Sequence, residues 1–258
     1  MSPNPWLLGV PCAVTALAGA AAYAGAYPRA QWFGRTVCST SSPEKLAITF
    51  DDGPNPSITP KLLDLLDAHH ARATFFLIGR FVRECPDLVR ETVARGHLIA
   101  NHTQTHPNLF WCSPAAIRAE LRQCNEAIVE AAGAPPKWFR PPYGFRNPWV
   151  VSTARALQMR TVMWTLIPGD WLVRPTEWLV RRMSPIGNEL KHRKQRGLAS
   201  RSGYGRGGDI LCLHDGSHRA LNGDRSHTLG ALEYWLPRWR DLGLQFVTIA
   251  EAVGAPAS

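Results

Sequence analysis

The chain has 258 residues, 45% of them hydrophobic, with 10 Trp and a formal net charge of +9. That length and apolar content suit a large domain with a substantial core and exclude a wholly disordered chain. The charge is local: Lys191, Arg193, Lys194, Arg196, Arg201 and Arg206 supply six positive charges and leave +3 for the rest, which argues against a basic nucleic-acid-binding face. Cys12, Cys38, Cys85, Cys112, Cys124 and Cys212 form no C-x-x-C pair and match neither a zinc ribbon nor a dense disulfide framework.

In chain order, no charged residue occurs from Trp6 to Tyr27. The run is long enough to cross a bilayer, although rich in Ala and Gly. Residues 1–27 therefore read as a membrane anchor or a secretory signal, with a small-residue cleavage region at Ala22-Tyr23-Ala24-Gly25-Ala26. The flanking charges oppose export. Residues 1–5 carry no Lys or Arg, whereas Arg29 and Arg35 follow the run, and the positive-inside tendency keeps that side cytoplasmic. Residues 28–43 read as a linker and 44–258 as one domain.

Within that domain, apolar runs at 46–50, 73–78, 97–100, 138–140, 160–164, 210–213 and 245–249 read as strands. Amphipathic stretches at 59–69, 86–95, 114–132, 148–157 and 228–242 read as helices, clearest in the spacing of Ile117, Leu121, Cys124 and Ile128. The alternation is that of βα units. Between 185 and 208 it stops, and a basic Gly- and Ser-rich surface loop is expected as an insertion.

Five strand ends carry chemistry. The first, Ile48-Thr49-Phe50-Asp51-Asp52-Gly53-Pro54, ends on two adjacent carboxylates whose ionisation together needs a cation nearby; alone it reads first as a solvated Asp-Gly turn. The second holds His102 and His106, four apart, so that one helical turn would project both imidazoles from one face. With an Asp they would make a three-ligand metal site with room for water, and two structural histidines are the plainer alternative. The third, Arg140-Pro141-Pro142-Tyr143-Gly144, is stiffened by its prolines and presents the Tyr143 amide as an isolated donor suited to an oxyanion. Arg140 could pair with a carboxylate there. The fourth and fifth are Asp170-Trp171 and Leu213-His214-Asp215. In a parallel α/β barrel, strand C-termini form the face on which an active site assembles.

Taken in order over residues 45 to about 250, these five stretches resemble the motifs of the polysaccharide deacetylases of carbohydrate esterase family 4. The resemblance implies a distorted, TIM-like (β/α) barrel of about seven strands, with the N-terminal apolar helix outside it. It also implies one divalent metal, zinc first and Co2+, Ni2+ or Mn2+ as substitutes, held by Asp52, His102 and His106. Asp51 matches the general base and Arg140 the group that holds it charged, while the Tyr143 amide matches the oxyanion donor. His214 matches the general acid, oriented by Asp170, and Trp171 matches an aromatic wall beside the acetyl group. Pro141, Leu213 and Cys212 are placed by the same resemblance at the substrate; Cys212 replaces the Leu that many relatives use to line the acetyl-methyl pocket. His218 and His227 match no motif and read as solvated.

The implied reaction is hydrolysis of N-acetyl groups on amino sugars of a glycan, with peptidoglycan or another envelope polymer ahead of chitin oligomers. O-deacetylation of a xylan-type polysaccharide and a non-catalytic glycan-binding barrel are the alternatives. A metal-activated water would attack the carbonyl, Asp51 would take its proton, and His214 would protonate the amine, which cannot leave as an anion. The expected partners are the polysaccharide and, through the N-terminal run, a membrane; no nucleic acid is expected, and the protein reads as a monomer. Such a substrate favours an anchored or secreted protein with its domain outside the cytoplasm.

Overall fold

The computed structural model describes Thr15, residues 19–196 and residues 207–253. Its helices are α1 (19–26), α2 (Thr59–Ala68), α3 (Gly79–Glu84), α4 (Pro86–Ala94), α5 (Pro114–Ala132), α6 (Val150–Ala156), α7 (Thr176–Met183), α8 (Asn188–Gln195), α9 (Ser226–Leu242) and α10 (Ile249–Ala252). Its strands are β1 (Lys45–Gly53), β2 (Ala73–Leu77), β3 (Leu98–Asn101), β4 (Trp138–Phe139), β5 (Arg160–Thr161), β6 (Ile210–His214) and β7 (Gln245–Phe246). Local chemistry explains the clearest helix. Ser113 caps α5 by accepting from the Ala116 amide, Pro114 opens it, and Gly133 ends it with φ 78°.

All the strand pairs are parallel, in the order β5-β4-β3-β2-β1-β6, with β7 added beside the start of β1. Beyond β5 the chain reaches round to the opposite edge. Thr165 N–H donates to Ile210 O and Cys212 N–H donates to Leu166 O, each at 2.9 Å, which joins the sheet into a distorted barrel. The two-residue period of the strands divides the core. Leu46, Ile48 and Phe50 of β1 and Leu211 and Leu213 of β6 pack outward beneath the helices. Ala47, Phe76, Ala100, Ile210 and Cys212 fill the interior, and Ile249 and Ala252 of α10 join them. Thr49 and Asp51 share the parity of Ala47, so period two turns them inward as well.

Several sequence expectations change. The stretch 185–208 is not loop throughout, because α8 occupies Asn188–Gln195. Leu190 is its sole buried residue, so no apolar period announced it; residues 197–206 lie outside the described residues. The expected linker 28–43 is packed on the domain: Val37 bridges Val162, Thr40 N–H donates to Gly208 O, and Ser41 N–H donates to Ala252 O. Backbone pairing of this kind leaves no side-chain pattern to read.

Most of the expected anchor, residues 1–14 and 16–18, lies outside the described residues. Its described part docks on the barrel through Arg146, which is buried and donates to the carbonyls of Ala24, Tyr27, Pro28 and Ala30. Among the described residues, no helix is long and apolar enough to cross a membrane. The five described cysteines, all but Cys12, are free.

Candidate active site

The C-terminal ends of the strands surround a cavity of about 600 Å³ lined by Asp51, Asp52, His102, His106, Tyr143, Trp171 and His214, among others. Parallel register sets Asp51 directly opposite His214 on the neighbouring strand. Consecutive residues of a regular strand face opposite sides, so Asp51 and Asp52 should diverge. They do not, because β1 shifts register against β2 between Asp51 and Gly53, and Asp52 takes φ 71°. This bulge turns both carboxylates to one cavity.

Asp51 forms a buried ion pair with Arg140, Nη1 to Oδ1 at 2.7 Å. Arg140 is fully enclosed. It also donates to Thr49 Oγ1 at 2.7 Å and to Met163 O at 3.1 Å, and its guanidinium lies 4.1 Å from the Phe76 ring centroid. A buried charge so completely satisfied is a fixed counter-charge, and removing one member of such a pair costs roughly 3–5 kcal/mol.

His102 and His106 come from a loop after β3, not from a helical turn. The segment is shaped by left-handed residues, Thr103 at φ 70° and His106 at φ 64°. It is pinned by Thr103 N–H donating to Asn101 Oδ1 and by His106 N–H donating to Thr103 Oγ1. His102 donates from Nδ1 to Arg140 O at 2.8 Å, which leaves Nε2 as a lone-pair donor facing Asp52. His106 Nε2 lies 3.2 Å and His102 Nε2 3.6 Å from Asp52 Oδ1.

Burial pushes the Asp52 carboxyl up, but hydrogen bonding from His218 and the charges of His106, His214 and His102 outweigh it and hold it well below the usual range. Burial, with His102 beside it, lowers His106 to about 3. A carboxylate beside imidazole nitrogens is the donor set a divalent cation requires. Asp52 Oδ1 is buried without a hydrogen-bond partner. Its spacings to the two nitrogens match the roughly 3.4 Å edge of a tetrahedron with zinc-length bonds. Among the described residues, Asp52, His106 and His218 form a group of possible ligands whose donor atoms all lie within 4.8 Å of one another. His102 is outside that group, although its Nε2 is 3.6 Å from Asp52 and 3.9 Å from Asp51 and its ring lies edge to face against His106 at 5.0 Å.

His214 donates from Nδ1 to Asp170 Oδ1 at 2.8 Å, and its own amide donates to Asp170 Oδ2 at 2.7 Å. Burial by itself would lower the imidazole, yet the charge and hydrogen bond of Asp170, helped by Asp52 and Asp51, raise it to about 9. Asp170 is itself held by Thr228 Oγ1 and, through its carbonyl, by His227 Nε2 at 2.6 Å. Trp171 meets the His214 ring edge to face at 5.5 Å. Tyr143 adopts φ 58°, and its ring packs on His106. The amides of Gly144 and Phe145 close on Pro141 and Pro142, and that of Tyr143 has no such partner among the described residues.

Three expected substrate contacts are not at the cavity. Leu213 is buried in the outer core because strand parity turns it away from His214's side. Cys212 lies beneath the site, with Sγ 3.4 Å from Asp51 Oδ2, and Pro141 is buried in its loop. Two histidines read as solvated are not. His227 is buried against Asp170, and His218 lines the cavity. No motif marks either one; both are placed by tertiary packing.

Residues 39–162 match the family model described as polysaccharide deacetylase. The chain is 35% identical over 218 residues to a chitooligosaccharide deacetylase of Bradyrhizobium sp. (strain ANU 289), covering 82% of this chain and 91% of the relative. It is 36% identical over 208 residues to a peptidoglycan-N-acetylglucosamine deacetylase of Bacillus cereus, covering 80% of this chain and 86% of the relative. Among solved structures, a peptidoglycan N-acetylglucosamine deacetylase superposes with TM-score 0.72 at 27% identity, over 84% of this chain and 92% of that one. A family 4 pseudoenzyme from Bacillus anthracis superposes with TM-score 0.66 at 28% identity, over 81% of this chain and 65% of that one. The same fold thus occurs with and without activity, so function must be argued from the site's residues.

Proposed function

Because the chain belongs to the polysaccharide deacetylase family, we propose that it is a metal-dependent hydrolase removing N-acetyl groups from N-acetylglucosamine units of a glycan. The observation that carries this reading is a complete set of opposed proton-transfer groups on one cavity: Asp51 paired to Arg140, and His214 paired to Asp170, on facing positions of adjacent strands. The relatives' names, chitooligosaccharide and peptidoglycan deacetylase, support an amino-sugar substrate.

Asp52, His102 and His106 would hold a divalent cation, zinc by donor type. When bound, the cation polarises the acetyl carbonyl and makes a water acidic enough to attack near neutral pH. Asp51, with Arg140 fixing its carboxylate, accepts the proton of the attacking water. The Tyr143 amide donates to the oxygen on which negative charge develops. His214 presents Nε2 to the cavity, since Nδ1 is engaged by Asp170. Protonated at neutral pH, it gives that proton to the departing nitrogen, and acetate and a free amine result. Trp171 walls the side of the cavity next to His214.

Acetate release from chitin oligomers, peptidoglycan and acetylated xylan, with metal and with chelator, tests the reading. Metal-dependent release from either N-acetylated glycan is the expected result. Release from xylan alone would replace it with an O-acetyl esterase, and no release from any of the three would make the chain a glycan-binding relative.

A further inference from the structure

His218 is used by none of these steps, yet it stands at the metal-binding end of the cavity. Its ring stacks on His106 with centroids 4.4 Å apart and planes within 12°. Nδ1 lies 3.7 Å from Asp52 Oδ2. On the other side of the ring, Nε2 is 3.4 Å from the Tyr143 hydroxyl, which can accept its proton and leave the Nδ1 lone pair directed at the site. The backbone is fastened at the same residue. His218 N–H donates to Asp52 Oδ2 at 3.3 Å, and its carbonyl accepts from the Arg80 guanidinium. Asp52, His106 and His218 place one ligand atom each within 4.8 Å of one another.

We propose that His218 is a fourth, exchangeable protein ligand, donating through Nδ1 to the cation held by Asp52, His102 and His106. The proposal rests on the metal-dependent reading above. Four protein donors fill a tetrahedral zinc site, whereas catalysis needs an open position. One of the four must therefore yield, and exposure identifies which. The side chains of His102 and His106 are 2% and 4% exposed, against 31% for His218. The two buried rings have nowhere to go, and His218 can swing towards solvent about a backbone that stays fastened to Asp52 and Arg80. Its place is to retain the cation when the cavity is empty and to give way to water and the acetyl group when glycan enters.

The test uses the full chain loaded with Co2+, with affinity read by chelator competition and coordination read from visible absorption. His218→Ala keeps both backbone contacts, so a folded variant is expected. Its metal affinity should fall about tenfold or more, since outer-shell partners alone are worth 10–100-fold. Its cobalt bands should weaken as water replaces the imidazole and coordination number rises. His218→Cys should restore affinity and add a thiolate-to-cobalt charge-transfer band in the near ultraviolet, a signature no packing role would produce. Affinity within about twofold of the parent, unchanged bands in His218→Ala and no new band in His218→Cys would overturn the proposal. Asp52→Ala separates this failure from a failure of the metal reading: if it binds Co2+ as the parent does, the metal site itself is misassigned.

Discussion

The ends of β1 and β6 carry the same local pattern, an ionisable residue followed by Asp-Gly: Asp51-Asp52-Gly53 on one strand and His214-Asp215-Gly216 on the other. The two segments interlock. A side chain at Gly53 would collide with the Asp215 carboxylate, and one at Gly216 would collide with the Asp52 backbone. Both aspartates are buried, yet they are driven in opposite directions. Four imidazoles hold Asp52 far down. Burial lifts Asp215 to about 7; a 2.5 Å hydrogen bond from Thr59 offsets it only in part, and the negative charges of Asp52 and Asp51 add to it. Depth of burial is shared, so neighbours decide which carboxylate stays ionised and which keeps its proton.

The largest effect that would sharpen this contrast is expected at Asp52. Asp52→Asn should lose bound metal by elemental analysis, and acetate release should fall to background. Asp51→Asn should keep its metal while kcat/KM falls by about 10²–10⁴, the usual worth of a positioned general base. Retention of most of the rate would remove Asp51 from that role.

Asp170→Asn comes next. His214 in the parent stays protonated up to about pH 9, so the alkaline limb of kcat should lie there; in the variant it should move towards the ordinary 6.5, with a loss of about tenfold or more at pH 8. The sign for stability agrees. A histidine with a raised folded pKa contributes fully below 6.5, and that contribution disappears as pH rises through about 9.

Asp215→Asn should be mildest, retaining metal and a rate within about threefold of the parent. Its effect belongs to stability. The folded carboxyl keeps its proton to about 7 while the unfolded one releases it near 3.8, so the parent loses stability as pH rises across that window. Chelator-treated Asp215→Asn should show a flatter pH dependence in thermal melts. A steeper one would mean that Asp215 is ionised in the fold and that the contrast with Asp52 is false.

The ionisable residues that meet at the cavity were legible because each stands where an apolar run ends, and the closing of parallel strands gathers such ends. Asp51, Asp52, His102, His106, Asp170 and His214 all reach the site that way. What could not be read depends on conformation rather than composition. The bulge at Asp52 and the left-handed Thr103 and His106 set the geometry without glycine to betray them. His227 and His218 owe their places to helix and loop packing across more than fifty residues of chain from Asp170 and more than a hundred from Asp52 and His106. Leu213 fell to the wrong side because proximity to His214 in sequence is opposition in a strand.

Arg146 links one end of the chain to this chemistry mechanically. Its side chain grips four carbonyls between Ala24 and Ala30, and its own amide donates to Gly25 O. Arg146 also lies three residues after Tyr143 in the same loop. A pull on the chain at α1 is therefore borne first by the loop that carries Tyr143, and tension applied there would reach the Tyr143 side of the cavity before it reached the Asp52 side.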